Sequence, residues 1–265
     1  MKDGTASHTA RSVAAHRLEY ARLGADYGDP AADDSLTADV AAGQSPDRGR
    51  MHEYLRGRTA FFDQTVVDSI GSGVRQIVIG GAGYDGRPLR YAKPGVRWFE
   101  VDHPATQADK LERLARLAID NRHIRFIPAD FTADPIAEPL IAAGLDPDRP
   151  ALFLLEGVAV YLEPPVVERV LAEFRAVTVV GARLAISVST ASSTSETRAR
   201  FREWVAAHGE PARSEFSRDD ARDLLAAAGW HLRDAAQRQR SLGLLLADSS
   251  ADSSADLTAD SPGAR

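Results

Sequence analysis

Gly81, Gly83 and Gly86 fall at G-x-G-x-x-G spacing directly after a β-branched run, 75–79. Glycine at such a place lets the chain turn sharply and lets a ligand approach the main chain closely. The carboxyl end of a first strand is also where open α/β sheets bind ligands. The same letters are the nicotinamide fingerprint, and a tight turn with no ligand is the plain alternative. Acids recur at the ends of the later apolar runs. Glu100 and Asp102 come roughly twenty residues after the glycines, where a carboxylate can accept from the two hydroxyls of an adenosyl ribose. Asp130-Phe131 offers an acceptor for an adenine amino group and an apolar cover for its ring. Glu156-Gly157 places an acid and a flexible residue beside the same crevice. Taken singly, each is equally a solvated strand-end acid, a core aromatic or a helix cap.

Other chemistries find less support. The chain has no cysteine, so disulfides, thiolate metal sites and cysteine nucleophiles are excluded, in keeping with a reducing, cytoplasmic setting. Among seven histidines, His103 lies next to the candidate ribose acid and His208 lies in a polar segment, neither within a motif. No spacing suggests a metal site, and there is no nucleophile elbow. A net charge of -6, with no Lys/Arg block interleaved with aromatics, argues against nucleic-acid binding. No run approaches the ~20 apolar residues of a membrane span, and the first residues lack the apolar core of a secretory signal.

The elements that must position these residues follow from periodicity. Residues 8–25 read as a helix with Val13, Leu18 and Leu23 on a broken apolar stripe, 28–49 as mostly loop with a short helix near 36–42, and 51–70 as a longer helix carrying Leu55, Phe62, Val66 and Ile70. Strands are expected at 75–79, 97–101, 124–129, 151–156 and 183–189. Between them fall a short helix after the glycines and helices at 104–119 (Leu111, Leu114 and Leu117 inward), 135–143 and 164–178. That alternation specifies a parallel, doubly wound sheet. Residues 191–216 break the rhythm with Arg198, Arg200, Arg202, Trp204 and Arg213. These can hold an acidic aromatic molecule, or form a solvated amphipathic helix. Ser217 and Asp220 form a capping box for a helix ending at Gly229. Closing strands are expected at 230–235 and 242–247, and the ADSS-repeating tail, 247–265, is expected to be disordered.

With these residues in view, the chain resembles the leucine carboxyl methyltransferase-like group of S-adenosylmethionine enzymes, which includes bacterial polyketide O-methyltransferases. The resemblance rests on Arg58-Thr59, IVIGGAGYDGRPLR (77–90), WFEVDHP (98–104), PADF (128–131) and LEGVAVYL (155–162), and runs from about Thr9 to Gly229. It implies a class I methyltransferase Rossmann-like α/β fold. Residues 1–70 would form a helical cap, 71–246 an S-adenosylmethionine-binding domain, and 191–216 a substrate-region insertion. It implies that Arg58 pairs with the methionine carboxylate and that Gly81, Ala82 and Gly83 pass beneath that moiety. Asp85 belongs to the same turn. Asp102, or in competition Glu100, would hold the ribose. Asp130 and Phe131 would frame the adenine, Glu156 and Gly157 would face the amino end, and Tyr161 would lie close to methyl transfer. Two positions depart from the pattern: Gly86, where the family usually has Thr, and Gly80, where Leu is common.

The implied reaction is methyl transfer to a small-molecule acceptor. A carboxylate acceptor is ionised at pH 7 and needs no general base, whereas a hydroxyl is helped by one. A nicotinamide-dependent oxidoreductase and a catalytically inactive S-adenosylmethionine-binding protein remain alternatives.

Overall fold

The computed structural model describes residues 7–46, 48–189, 203, 211–233 and 242–249. Five parallel strands, β1 (Gln76–Gly80), β2 (Arg97–Asp102), β3 (Ile124–Pro128), β4 (Leu152–Leu155) and β5 (Arg183–Ser187), are joined by β6 (His231–Leu232) and β7 (Leu244–Asp248). The order is β3-β2-β1-β4-β5-β7-β6, with β7 antiparallel to both its neighbours. The expected parallel doubly wound sheet is therefore present, closed by an antiparallel pair. Strand order reverses between β1 and β4, so a crevice opens there, beyond the carboxyl ends of the strands.

Both sheet faces are covered, and side chains alternate between them. Val78, Phe153 and Leu155 face a core built with α6 (Ala137–Ala142), α7 (Pro164–Ala176) and α8 (Arg218–Ala227), where Phe153 stacks on Phe174 and meets Trp230 edge-on. Trp230 is wholly buried and donates its indole N–H to the Leu171 carbonyl at 2.9 Å. Ile77, Ile79, Leu152 and Leu154 face the other core. It is shared with α1 (His8–Arg17), α2 (Pro30–Ala41), α3 (Arg50–Gly71), α4 (Arg87–Arg90) and α5 (Pro104–Arg116). Leu55, Phe62, Val66 and Ile70 are all buried, as the helical spacing of α3 requires.

Several expectations need correction. α1 ends at Arg17 and buries Thr9, Ala14, Ala15 and His16; Leu18 is exposed and Val13 and Leu23 are half-buried. α2 is a full three-turn helix because Asp29 caps it and Pro30 occupies its first turn. α5 turns Leu111 outward and buries Thr106, Gln107, Lys110 and Leu114. The capping box forms as expected, with Ser217 accepting from the Asp220 amide and Asp220 from the Ser217 amide. β7 runs through Asp248 and Ser249 is buried, so order extends past the expected end of the domain at 246. The rest of the tail, 250–265, lies outside the described residues, as do Arg198, Arg200, Arg202, Trp204 and His208. No helix among the described residues is long and apolar enough to cross a membrane.

Candidate functional site

The carboxyl ends of β1, β2 and β4 bring the glycine turn, Asp102 and Glu156 to one edge of the sheet. The turn is sewn to β2: the amides of Gly81 and Ala82 donate to the Val101 carbonyl, at 2.7 and 3.3 Å, and the Gly83 amide donates to the Asp102 carboxylate. Gly81 has φ +64°, and a Cβ there would lie 2.2 Å from a Val158 methyl. Only glycine satisfies both constraints. Burial pushes the Asp102 carboxyl upward, against the Gly83 and His103 amides that stabilise its charge. His103 itself caps α5, its ring accepting from the Ala105 amide, which gives that histidine a structural task.

The two departures from the family pattern have visible counterparts. A Cβ on Gly86 would lie 1.7 Å from Asp33 Oδ1, so a carboxylate from α2 occupies the space beside the turn. Asp33 is held there by Arg22, Arg90 and Thr37. Beside Gly80, Leu155, Phe174 and Phe131 fill the place of a side chain.

At the tip of β4, Glu156 is buried among three guanidinium groups. Its Oε1 accepts from Arg58 Nε at 3.0 Å and Arg17 Nη2 at 3.1 Å, and its Oε2 from Arg87 Nη1 at 2.6 Å. Burial opposes the charge, but Arg87, Arg17 and Arg58 outweigh it and hold this carboxyl well below its usual range. Arg87 is fully buried and also bonds Asp85 Oδ2 at 2.6 Å and Asp63 Oδ1 at 2.7 Å. Asp63 is gripped on its other side by Arg22, at 2.6 and 2.9 Å. Arg58 lies over the Tyr54 ring, 5.6 Å from its centroid. Burial opposes its charge, while Glu156, Tyr54 and Tyr161 keep its pKa above the ordinary value.

Of the expected site residues, the fold therefore groups Arg58, Gly81, Ala82, Gly83, Asp85, Asp102, Glu156 and Gly157. Tyr161 is half-buried in the 3-10 turn Ala159–Tyr161 that follows Gly157. Glu100 is set apart: it is buried one step behind the tip, and both its oxygens accept from Lys110 at 2.7 Å. Asp130 is half-buried at the end of β3, accepting from the Thr132 amide and hydroxyl. Phe131 is packed into the core beside Gly80. Arg213 donates its amide to Val160 and pairs weakly with Glu163 at the surface.

Sequence reasoning missed Arg17, Arg22, Asp63, Arg87 and Lys110. Arg17 is the most telling, because its side chain is 9 % exposed and its Nε, buried, has no hydrogen-bond partner among the described residues. A buried guanidinium N–H without an acceptor is costly, and an anionic ligand group supplies one. A charged cluster of both signs at one end, a glycine turn in the middle and a half-buried carboxylate at Asp102 fit an amino acid joined to a nucleoside.

The family model for leucine carboxyl methyltransferase matches residues 3–175. The chain belongs to the leucine carboxyl methyltransferase family. It is 39% identical over 138 residues to a protein of Parafrankia sp. (strain EAN1pec), covering 51% of this chain and 44% of that protein. It is 36% identical over 159 residues to one of Mycobacterium marinum, covering 59% and 51%. Both relatives carry the name "Putative S-adenosyl-L-methionine-dependent methyltransferase". The chain thus spans about half the length of the curated relatives it matches. In fold it is similar to a "putative methyltransferase" from Thermobifida fusca YX, with TM-score 0.63, 17% identity, and coverage of 94% of this chain and 97% of that one. It is also similar to the magnesium protoporphyrin IX methyltransferase of Synechocystis PCC 6803, solved with bound S-adenosylhomocysteine. There the TM-score is 0.51 and the identity 12%, over 78% of this chain and 90% of that one. These likenesses establish a class I methyltransferase Rossmann-like α/β fold for this member of the leucine carboxyl methyltransferase family.

Proposed function

We propose that the chain binds S-adenosylmethionine and methylates an oxygen, carboxylate or hydroxyl, of a small-molecule acceptor. The observation that carries this is the pair Arg17 and Arg58 on one buried Glu156 oxygen, with Arg17 Nε lacking an acceptor, beside a turn only glycine can make. Arg58 and Arg17 receive the methionine carboxylate, and Glu156 the ammonium, each charge meeting its opposite in a site shielded from water. Gly81, Ala82 and Gly83 let that moiety lie against main chain, with Asp85 and Gly157 bounding it. Asp102 takes the ribose hydroxyls, and Glu100 acts behind it. Asp130 accepts from the adenine amino group, and Phe131 backs that end from the core. Tyr161 is the candidate catalytic residue, next to the methyl-transfer position.

When bound between Arg58, Arg17, Glu156 and Asp102, S-adenosylmethionine would supply a methyl group activated by its sulfonium; a carboxylate acceptor is already ionised and needs no base, whereas a hydroxyl acceptor would need a base to take its proton. The protein's share is alignment and exclusion of water. Helices within 1–70 cap the site, and 191–216 is the candidate acceptor region. The test is thermal shift with S-adenosylhomocysteine and separately with NAD(P)H, followed by transfer of labelled methyl groups into a small-molecule extract. Stabilisation by S-adenosylhomocysteine alone, and labelled product, are expected. Stabilisation by NAD(P)H alone would replace the assignment with an oxidoreductase. Binding of S-adenosylhomocysteine without turnover would leave an inactive binder.

A further inference from the structure

Lys110 is buried on every side and absent from the chemistry above. Its ammonium donates to Glu100 Oε1 and Oε2, both at 2.7 Å, and to the Asp85 carbonyl at 2.8 Å. Those three bonds use all three of its hydrogens. Glu100 belongs to β2 and stands two residues before Asp102; Asp85 belongs to the glycine turn. One ammonium, presented from α5, therefore ties the far end of the turn to the strand that carries Asp102.

A buried ion pair of this kind is poor stabilising material. Taking both charges out of water offsets most of their attraction, and well-packed apolar replacements often leave proteins as stable or more so. Here burial even pushes the Glu100 carboxyl up to about 7 despite the ammonium beside it. What an apolar pair cannot reproduce is the bond to Asp85 O. The near end of the turn is fixed by main-chain bonds to Val101 and by Gly83 on Asp102. Beyond Gly83 the turn's main chain is held to β2 through Lys110, while the Asp85 side chain points to Arg87 and the β4 tip.

We propose that Lys110 is a positioning residue: by fastening Asp85 to Glu100 it sets the separation of the glycine turn from Asp102, and hence the fit of the adenosyl moiety. This rests on the S-adenosylmethionine reading of the site. It also gives Glu100 a task, as the anchor for Lys110, which leaves the ribose to Asp102.

The test is calorimetric titration with S-adenosylhomocysteine of the full chain, of Lys110→Met/Glu100→Gln, of Asp102→Asn and of the triple variant. The Lys110→Met/Glu100→Gln variant is expected to unfold in urea as a cooperative unit and to bind at least tenfold more weakly. The Asp102→Asn loss is expected to shrink severalfold in that background, because the carboxylate is already misplaced; a merely structural lysine would leave the two losses additive. Additive losses, or affinity within twofold of wild type, overturn the proposal. If the double variant fails to fold, Lys110→Gln takes its place, a shorter donor for which unchanged affinity is equally fatal. Absence of binding by the wild-type chain would instead remove the cofactor reading itself.

Discussion

Arg87→Met isolates the ion network from the rest of the fold. Methionine fills the volume of the stem but has no donor, so the bonds to Asp85, Glu156, Asp63 and the Thr59 carbonyl vanish together. The three acids are not left equally exposed to this loss. Asp63 keeps two bonds from Arg22, and Glu156 keeps Arg17 and Arg58. Asp85 loses its charged partner and keeps only the main-chain N–H of residue 87, at 2.9 Å, while remaining 4 % exposed. One buried carboxylate stripped of its partner costs about 3–5 kcal/mol. The pH dependence carries the diagnosis. In the wild type, burial opposes ionisation of Asp85, but Arg87 and Arg17 outweigh it and its pKa lies below the ordinary value. A depressed acid contributes stability above its unfolded pKa and loses it as pH falls through the folded one. Without Arg87 the sign reverses: burial dominates, the folded pKa rises above the unfolded value, and the penalty at neutral pH is relieved as protonation proceeds. Urea denaturation followed by tryptophan fluorescence suits the purpose, since Trp98 and Trp230 are both buried. The deficit should be largest at pH 8 and shrink towards pH 5, and Asp85→Asn in the same chain should recover much of it. A deficit below about 1 kcal/mol, or one equal at pH 8 and pH 5, refutes the assignment of the network's weight to Asp85.

Gly86→Ala forces a methyl into the space of Asp33 Oδ1 and should cost about 1–3 kcal/mol as overpacking; a melting temperature equal to wild type would show that Asp33 moves freely. Ser217→Ala removes the capping box of α8 and should cost about 0.5–2 kcal/mol in urea denaturation, with no change in S-adenosylhomocysteine affinity. Arg17→Leu should weaken S-adenosylhomocysteine by roughly 10- to 100-fold, the worth of a charge-assisted bond of about 1.5–3 kcal/mol, while 5′-methylthioadenosine, which lacks the amino-acid end, binds both proteins alike. An equal loss for the two ligands would move Arg17 away from that end.

What the sequence made legible is what periodicity and local chemistry encode. Apolar runs of strand length, separated by helical spacings, specify the doubly wound sheet, and the tip residues Gly81, Asp102 and Glu156 follow because parallel strands share one carboxyl edge. The Ser217–Asp220 capping box was readable because it is complete within four residues. α2 was shortened because Asp29-Pro30, a cap and a first-turn proline, stands among glycines and aspartates that also signal a loop. Leu111 joins Leu114 and Leu117 in the apolar pattern that predicts an inward side, yet α5 turns Leu111 to solvent and buries Lys110 one residue earlier. The ion network was illegible for a different reason. Arg17 meets Glu156 across 139 positions and Arg87 meets Asp63 across 24, and no spacing rule links side chains that only tertiary packing brings together.

The same network explains why charged residues suit the cofactor end better than an apolar pocket would. Asp33 and Asp63 hold Arg22, Asp63 and Asp85 hold Arg87, and Glu156 takes Arg17 and Arg58 together with Arg87. At that corner three guanidinium groups share one carboxylate. A ligand bearing an ammonium alone would add to the excess. A carboxylate alone would relieve it but compete with Glu156 for the same donors. On the proposed reading a zwitterion does neither: its carboxylate would bond Arg58 and the Arg17 Nε, and its ammonium would take the place of a guanidinium on Glu156. Because Arg87 and Asp63 each keep a second ionic partner, the frame around Glu156 stays in place during that exchange, which is the condition under which buried electrostatics favour binding rather than oppose it.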